Sequence, residues 1–158
     1  MTRSTNLLKS TLHNLGVLLV GFGFAYIGRG LDILLHRASF RSTLTIAFGA
    51  LLMLIGFLIR VWATFDFYQL QMKVISLQPQ SHLITTGPYR FSRNPLYLGG
   101  NLFIFLGAVL VLGSPSGIVL TALNILAVDF MIPREEKQLA RQFGDDWLAY
   151  KHRVRRWF

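Results

Sequence analysis

The 158 residues make one domain by length. Hydrophobic residues are 53% and charged residues 15% of the chain, with positive mean hydropathy, which excludes an ordinary small soluble domain and fits a polytopic membrane protein. Cysteine is absent, which excludes disulfides, thiolate metal sites and a cysteine nucleophile; the net charge of +9 reads as basic residues meeting anionic headgroups, with no nucleic-acid partner.

Four apolar windows follow in chain order, at residues 12–35, 44–63, 96–112 and 118–132. The start of the chain is basic and then apolar, with no convincing small-residue cleavage site, so it is predicted to be a retained first helix. Gly21, Gly23 and Gly28 lack the register and the preceding strand of a dinucleotide fingerprint; with Gly49 and Gly56 they are predicted to let helices approach closely. The second window has the length of about 20 residues that a bilayer demands. Beyond Ala63, the mixed pattern of Phe65, Phe67, Tyr68, Leu70 and Met72 predicts a helix that protrudes and turns along the membrane surface.

Pro79, Gly87, Pro88 and Pro95 prevent a continuous helix through 79–95. The last two windows are separated only by Gly113-Ser114-Pro115-Ser116-Gly117 and are predicted to form a tight transmembrane hairpin. In the tail, Leu139, Phe143, Trp147, Tyr150 and Val154 recur at helical spacing, with Gly144 placed to stop one helix and Asp145 to cap the next. The opposite face carries Lys137, Arg141, Lys151, Arg153, Arg155 and Arg156, and the chain ends in Trp157-Phe158. That combination predicts an amphipathic helix lying on the membrane.

The expected fold class is therefore all-α: a bundle of about four spans with a cytoplasmic loop and an amphipathic tail. Placing the 113–117 turn outside puts both termini and the 64–95 loop in the cytoplasm. Of 16 basic residues, only Arg29, Arg37 and Arg41 then lie on the outer side, a conflict softened by Asp32.

The run Gly87-Pro88-Tyr89-Arg90-Phe91-Ser92-Arg93-Asn94-Pro95-Leu96-Tyr97-Leu98-Gly99 sets turn formers, arginines and tyrosines against the third window. A second charged cluster, Arg134-Glu135-Glu136, closes the fourth. No Ser-His-Asp set is visible, and His13, His36, His82 and His152 have no paired metal-ligand spacing. S-adenosylmethionine, by contrast, needs a cation for its carboxylate, an acid for its amine or ribose, and aromatic or apolar walls for adenine. Arg93 or Arg90 supplies the first, Glu135 or Glu136 the second, and Tyr89 and Tyr97 the third. Methyl transfer from a sulfonium needs in-line positioning rather than a base or a metal.

The residues 83–90 and 93–99 resemble the cofactor signature of a membrane methyltransferase family that includes isoprenylcysteine carboxyl methyltransferases and phospholipid methyltransferases. Glu135-Glu136-Lys137-Gln138-Leu139, Phe143-Gly144, Trp147, Tyr150 and Val154 resemble its second signature, at matching spacing. The likeness covers roughly residues 45–158. It implies an integral membrane methyltransferase in which Leu83, Ile84, Tyr89, Pro95, Tyr97 and Glu135 line the S-adenosylmethionine site. Asn94 and Leu96 fall inside the first signature and are counted with them; Arg93 and Glu136 are adjacent and join Glu135 as candidate catalytic residues. The implied partners are membrane lipids and a lipophilic or small-molecule methyl acceptor.

Asn94 stands where that family usually has histidine. Met131 occupies the place of an arginine implicated with substrate in the isoprenylcysteine enzymes, with Arg134 and Asp129 as nearby alternatives on the substrate side. Two other readings stay open. Sterol-type reductases share a similar tail and an Arg-Asn-Pro-x-Tyr run with a nicotinamide cofactor, but prefer asparagine at the position of Leu96 and lack the glutamate pair. The third reading is a membrane module without catalysis.

Overall fold

The structure, a computed structural model, describes residues 3–72, 74 and 81–157. Pro79, expected to break the loop, and Phe158, expected in the terminal anchor, lie outside the described residues. Four helices are long and apolar enough to cross a membrane: α1 (Arg3–Leu34), α2 (Thr43–Gln69), α3 (Pro95–Leu112) and α4 (Pro115–Arg153). Among the described residues, one 3-10 turn, Gly87–Arg90, lies between α2 and α3. No strand occurs among the described residues.

The bundle turns its large apolar side chains outward. Leu19, Leu34, Leu44, Leu58, Leu123 and Phe130 are all exposed, as lipid-facing residues are. Inside, the seams are small and polar. α1 buries Asn6, Ser10, Asn14, Gly21, Ala25, Gly28 and Asp32; α2 buries Gly49, Met53, Gly56, Arg60, Ala63, Thr64 and Phe67. Steps mostly of three, four or seven residues keep one narrow stripe facing the neighbouring helix. Without a hydrophobic force between helices in lipid, close backbone approach and buried hydrogen bonds hold such a bundle.

Gly49 and Gly107 show how close that approach is. A Cβ on Gly107 would lie 2.6 Å from the carbonyl oxygen of Gly49, and one on Gly49 would lie 2.5 Å from that of Gly107. Gly56 and Gly99 face each other in the same way along the α2–α3 seam. Around Gly99 the helix widens into a π-helical stretch, Leu98–Ile104.

α1 starts well before residue 12, because Asn6, Ser10 and Asn14 lie on its inner face and need no apolar company. α2 starts on a reciprocal cap, in which Ser42 Oγ accepts from Thr45 N (3.2 Å) and Thr45 Oγ1 from Ser42 N (2.9 Å). The hairpin turn uses Gly113 in the left-handed conformation at φ 62°, and Ser114 Oγ accepts from Gly117 N at 2.9 Å. Asp32 reaches across from α1 to receive Ser114 Oγ at 2.5 Å and Ser116 N at 2.8 Å, so an acid of one helix caps the N-terminus of another. Arg29 lies 3.9 Å from the same carboxylate. Phe40 N donates to Gly113 O at 3.1 Å, which puts the α1–α2 loop and the hairpin turn at one end of the bundle.

α4 runs through Pro133 and bends at Gly144, whose φ of 52° and ψ of −125° are not helical. The bend folds the tail back onto the protein, and this corrects the expectation for the aromatic stripe. Trp147 and Tyr150 are buried with Ala63, Phe67, Met72, Ile84 and Tyr89, while Leu139, Phe143 and Val154 pack against that cluster. The stripe therefore builds a core beside the 81–94 loop instead of resting on the bilayer. An amphipathic pattern records that one face is apolar, and here the loop offers that face more aromatic surface than lipid tails do. Lys137, Arg141, Lys151, Arg153 and Arg155 stay exposed on the other side.

Candidate active site

Gly87 opens the 3-10 turn at φ 57°, a conformation that side chains with a Cβ rarely adopt, and Pro88 follows immediately. Tyr89 N and Ser92 N return to Thr86 O and Pro88 O, which tightens the bend. Tyr89 is thereby turned inward, with its ring centroid 6.1 Å from that of Phe67. Its backbone oxygen accepts the Tyr150 hydroxyl at 2.8 Å. Burial, and then the neighbouring Tyr150 and Asp66, push the Tyr89 phenol well above the usual tyrosine range against the opposing pull of Arg60, so it stays neutral.

The rest of the loop is fastened to the tail beyond α4. Arg93 N donates to Arg155 O at 3.0 Å, and Arg156 O accepts from both Ser92 Oγ (3.0 Å) and Asn94 Nδ2 (3.2 Å). The Arg93 guanidinium completes the joint. Nη1 donates to Lys151 O (2.9 Å) and Val154 O (3.1 Å), and Nη2 to Glu136 Oε1 at 2.8 Å. Pro95 then starts α3, and two residues on Tyr97 donates its hydroxyl to Glu135 Oε1 at 2.7 Å.

These joints enclose a cavity of about 270 Å³, near the small end of ligand pockets. Leu83, Ile84, Tyr89, Asn94, Pro95, Leu96, Tyr97 and Glu135 all line it, as does Arg93. Two regions far apart in the chain thus meet on one space. Glu136 is placed differently. It lies behind the cavity wall, its carboxylate shared by Arg93 (2.8 Å), Lys151 (3.4 Å) and Arg156 (3.6 Å). Arg93 thus pairs with Glu136, while Glu135 bonds to Tyr97 on the cavity side. Consecutive helical residues point about 100° apart, so only one of two adjacent acids can face the cavity while the other faces the tail.

Arg90, Arg134 and His82 are exposed and do not line the cavity. Asp129 pairs with Arg156 at 3.1 Å. Sequence reasoning gives no place in the site to Arg60, His13 and Asn101, which line the cavity from α2, α1 and α3, nor to Gln142; Gln138, Trp147 and Tyr150 stand in the second signature without a stated role, and these four line the cavity from α4. For Arg60 a signal is present: a lone arginine inside a span is by default a functional residue. For Trp147 and Tyr150 the helical spacing points equally to lipid and to a protein neighbour. Among the described residues no group of three His, Cys, Asp or Glu side chains is placed to hold a metal ion.

The chemistry of this lining is specific in kind. Phe67, Tyr89, Trp147 and Tyr150 offer flat apolar surface for an aromatic ring, Glu135 an acceptor, Arg60 a cation, and Asn101, Gln138 and Gln142 neutral polar groups. An amphiphilic, zwitterionic nucleoside such as a methyl-bearing sulfonium fits that set. A family profile described as phospholipid methyltransferase matches residues 44–146, which takes in nearly all of α2, the loop, α3, and α4 as far as the bend. No curated protein and no solved structure matches the chain.

Proposed function

The chain belongs to the phospholipid methyltransferase family, and from that premise we propose that it transfers a methyl group from S-adenosylmethionine to a lipophilic or membrane-associated acceptor. When bound, the donor would supply an electrophilic methyl carbon on a sulfonium, which an acceptor lone pair could take in line with the carbon–sulfur bond.

The residues of the chain bind, orient and exclude water. Leu83, Ile84, Tyr89 and Trp147 form walls for the adenine, with Pro95 and Leu96 closing one side. Glu135 takes the ammonium or ribose hydroxyls, and Tyr97 fixes one of its oxygens so that the other is aimed. Arg93, Asn94 and Glu136 act one step back: they hold the loop against the tail and so set the shape of the cavity. A site that works by in-line placement gains from this rigidity, because effective molarity is lost when the bound geometry loosens.

The observation that carries the proposal is that residues from the 83–97 stretch and Glu135 of α4 line one cavity, joined by the Tyr97–Glu135 bond. The whole chain is proposed to act as one domain, with both termini and the cavity on the cytoplasmic side. The distribution of basic residues supports this orientation, since only Arg29, Arg37 and Arg41 sit at the hairpin-turn end. Titration of the purified chain in detergent with S-adenosylhomocysteine and, separately, NADPH tests the activity. Tight binding of the first alone supports methyl transfer. Binding of the second alone replaces it with a reductase, and binding of neither leaves a module without this chemistry.

A further inference from the structure

Arg60 lies in α2 inside its apolar window, three residues before Ala63, and is only 9% exposed. A cation there is expensive unless something answers its charge. Its bonds within the protein are neutral: Nε donates to Asn14 Oδ1 at 2.8 Å, and Nη1 to Leu96 O at 2.6 Å. No carboxylate among the described residues forms an ion pair with it. The charges of Arg93 and Asp32, also buried in this bundle, are answered, the first by Glu136 and the second by the α4 N-terminus and Arg29.

The surroundings hold the guanidinium in place. Asn14 is itself fixed, donating Nδ2 to Thr64 Oγ1 at 2.7 Å and to Ser10 O at 2.9 Å. On the other side α3 makes room. A Cβ on Gly99 would meet Arg60 Cγ at 2.7 Å, and one on Gly100 would meet Nη1 at 2.8 Å. These glycines lie in the π-helical stretch, a feature frequent at functional sites. A guanidinium has more N–H donors than its two bonds use, and Arg60 lines the cavity together with His13 and Asn101. Arg93 also lines the cavity, but its two Nη groups are spent on Glu136 and two backbone oxygens.

We propose that Arg60, accompanied by His13 and Asn101, is the anion-binding residue of the cavity, and that it receives a ligand carboxylate or phosphate. Two sources share that chemistry: the carboxylate of the donor's methionine part, and the anionic headgroup of an amphiphilic acceptor. The proposal deepens the methyl-transfer reading and rests on it for the donor arm; the acceptor arm needs no donor.

The test uses the full chain in detergent, unaltered and as Arg60→Gln, with S-adenosylhomocysteine and its decarboxylated analogue as donor probes. Dodecyl phosphate against uncharged dodecyl maltoside probes the acceptor side. One charge-assisted contact predicts that the unaltered protein favours the anionic member of the relevant pair by about tenfold or more. If Arg60→Gln erases the preference for the carboxylated nucleoside, Arg60 holds the donor; if it erases only the preference for dodecyl phosphate, Arg60 holds the acceptor. Survival of both preferences in Arg60→Gln overturns the proposal and leaves Arg60 a tie between helices. Failure of the unaltered protein to bind S-adenosylhomocysteine sinks the methyl-transfer reading instead, and the dodecyl phosphate pair still decides for Arg60. Should Arg60→Gln not fold, Gly100→Ala displaces the guanidinium while keeping its charge. It is expected to reduce the same preference, and an unchanged preference there also overturns the proposal.

Discussion

Tyr97 and Glu135, 38 residues apart in sequence, are joined by a 2.7 Å hydrogen bond that ties the start of α3 to α4 at the cavity. Tyr97→Phe keeps the ring and removes the bond. The carboxylate then loses its orientation but not its charge, at a cost of about 1 kcal/mol. Calorimetric titration with S-adenosylhomocysteine is expected to show affinity weakened roughly fivefold. An unchanged affinity would separate this bond from ligand binding.

The two adjacent glutamates are expected to fail in opposite ways. Glu135→Ala removes a cavity acceptor and is expected to abolish donor binding while the thermal transition in detergent stays put. Glu136→Ala leaves Arg93 buried without its carboxylate; side-chain exposures of 8% and 9% mark this as an interior pair. Losing one partner of such a pair costs about 3 kcal/mol or more, so the main effect should be a lowered unfolding temperature. Equal loss of stability in both variants would contradict the division of labour.

The α2–α3 seam is a test of packing alone. Gly107→Ala places a methyl group 2.6 Å from the carbonyl oxygen of Gly49 and 3.1 Å from Met53 N, so the two helices must move apart to take it. Overpacking of this kind costs about 1–3 kcal/mol. Thermal unfolding in detergent is the measurement. A variant as stable as the parent would mean that the two helices are not in backbone contact at Gly49.

Absence of cysteine makes orientation straightforward to measure. Ala38→Cys and His82→Cys each introduce one thiol at an exposed position, in the α1–α2 loop and in the cavity loop. An impermeant maleimide added to intact cells should label the first and reach the second only after permeabilisation. The reverse pattern would invert the proposed topology.

Tyr89 predicts behaviour in alkali. Its folded pKa is raised above the unfolded value of about 10, so the folded state holds the proton more tightly. The contribution is complete below that value and is lost as pH rises through the folded pKa. Tyr89→Phe cannot ionise and should lessen the fall in unfolding temperature above about pH 10. An identical fall in both proteins would assign the alkaline transition to other groups.

The membrane bundle is legible in the sequence because a long apolar run has little use outside a bilayer, and the loop motif because its residues are neighbours along the chain. The rest is hidden by its surroundings. The start of α1 looks too polar for a span because Asn6, Ser10 and Asn14 point inward, where a membrane protein keeps its polar groups. Arg60 is lost inside a window defined by its apolar neighbours. The tail's apolar stripe is visible, but its partner depends on the backbone angles of Gly144, and no pattern of hydrophobicity specifies a bend direction. The split between Glu135 and Glu136 likewise follows from helix phase relative to the loop, which only the assembled fold supplies.

The stitching of residues 92–94 to the backbone of Arg155 and Arg156 sets an order of events. The binding chamber cannot assume its shape until residue 156 has left the ribosome, long after α1 to α3 have been delivered to the bilayer. Formation of the long helices and closure of the cavity are therefore separable, and a chain halted before the tail would lack the joint that gives the cavity its shape.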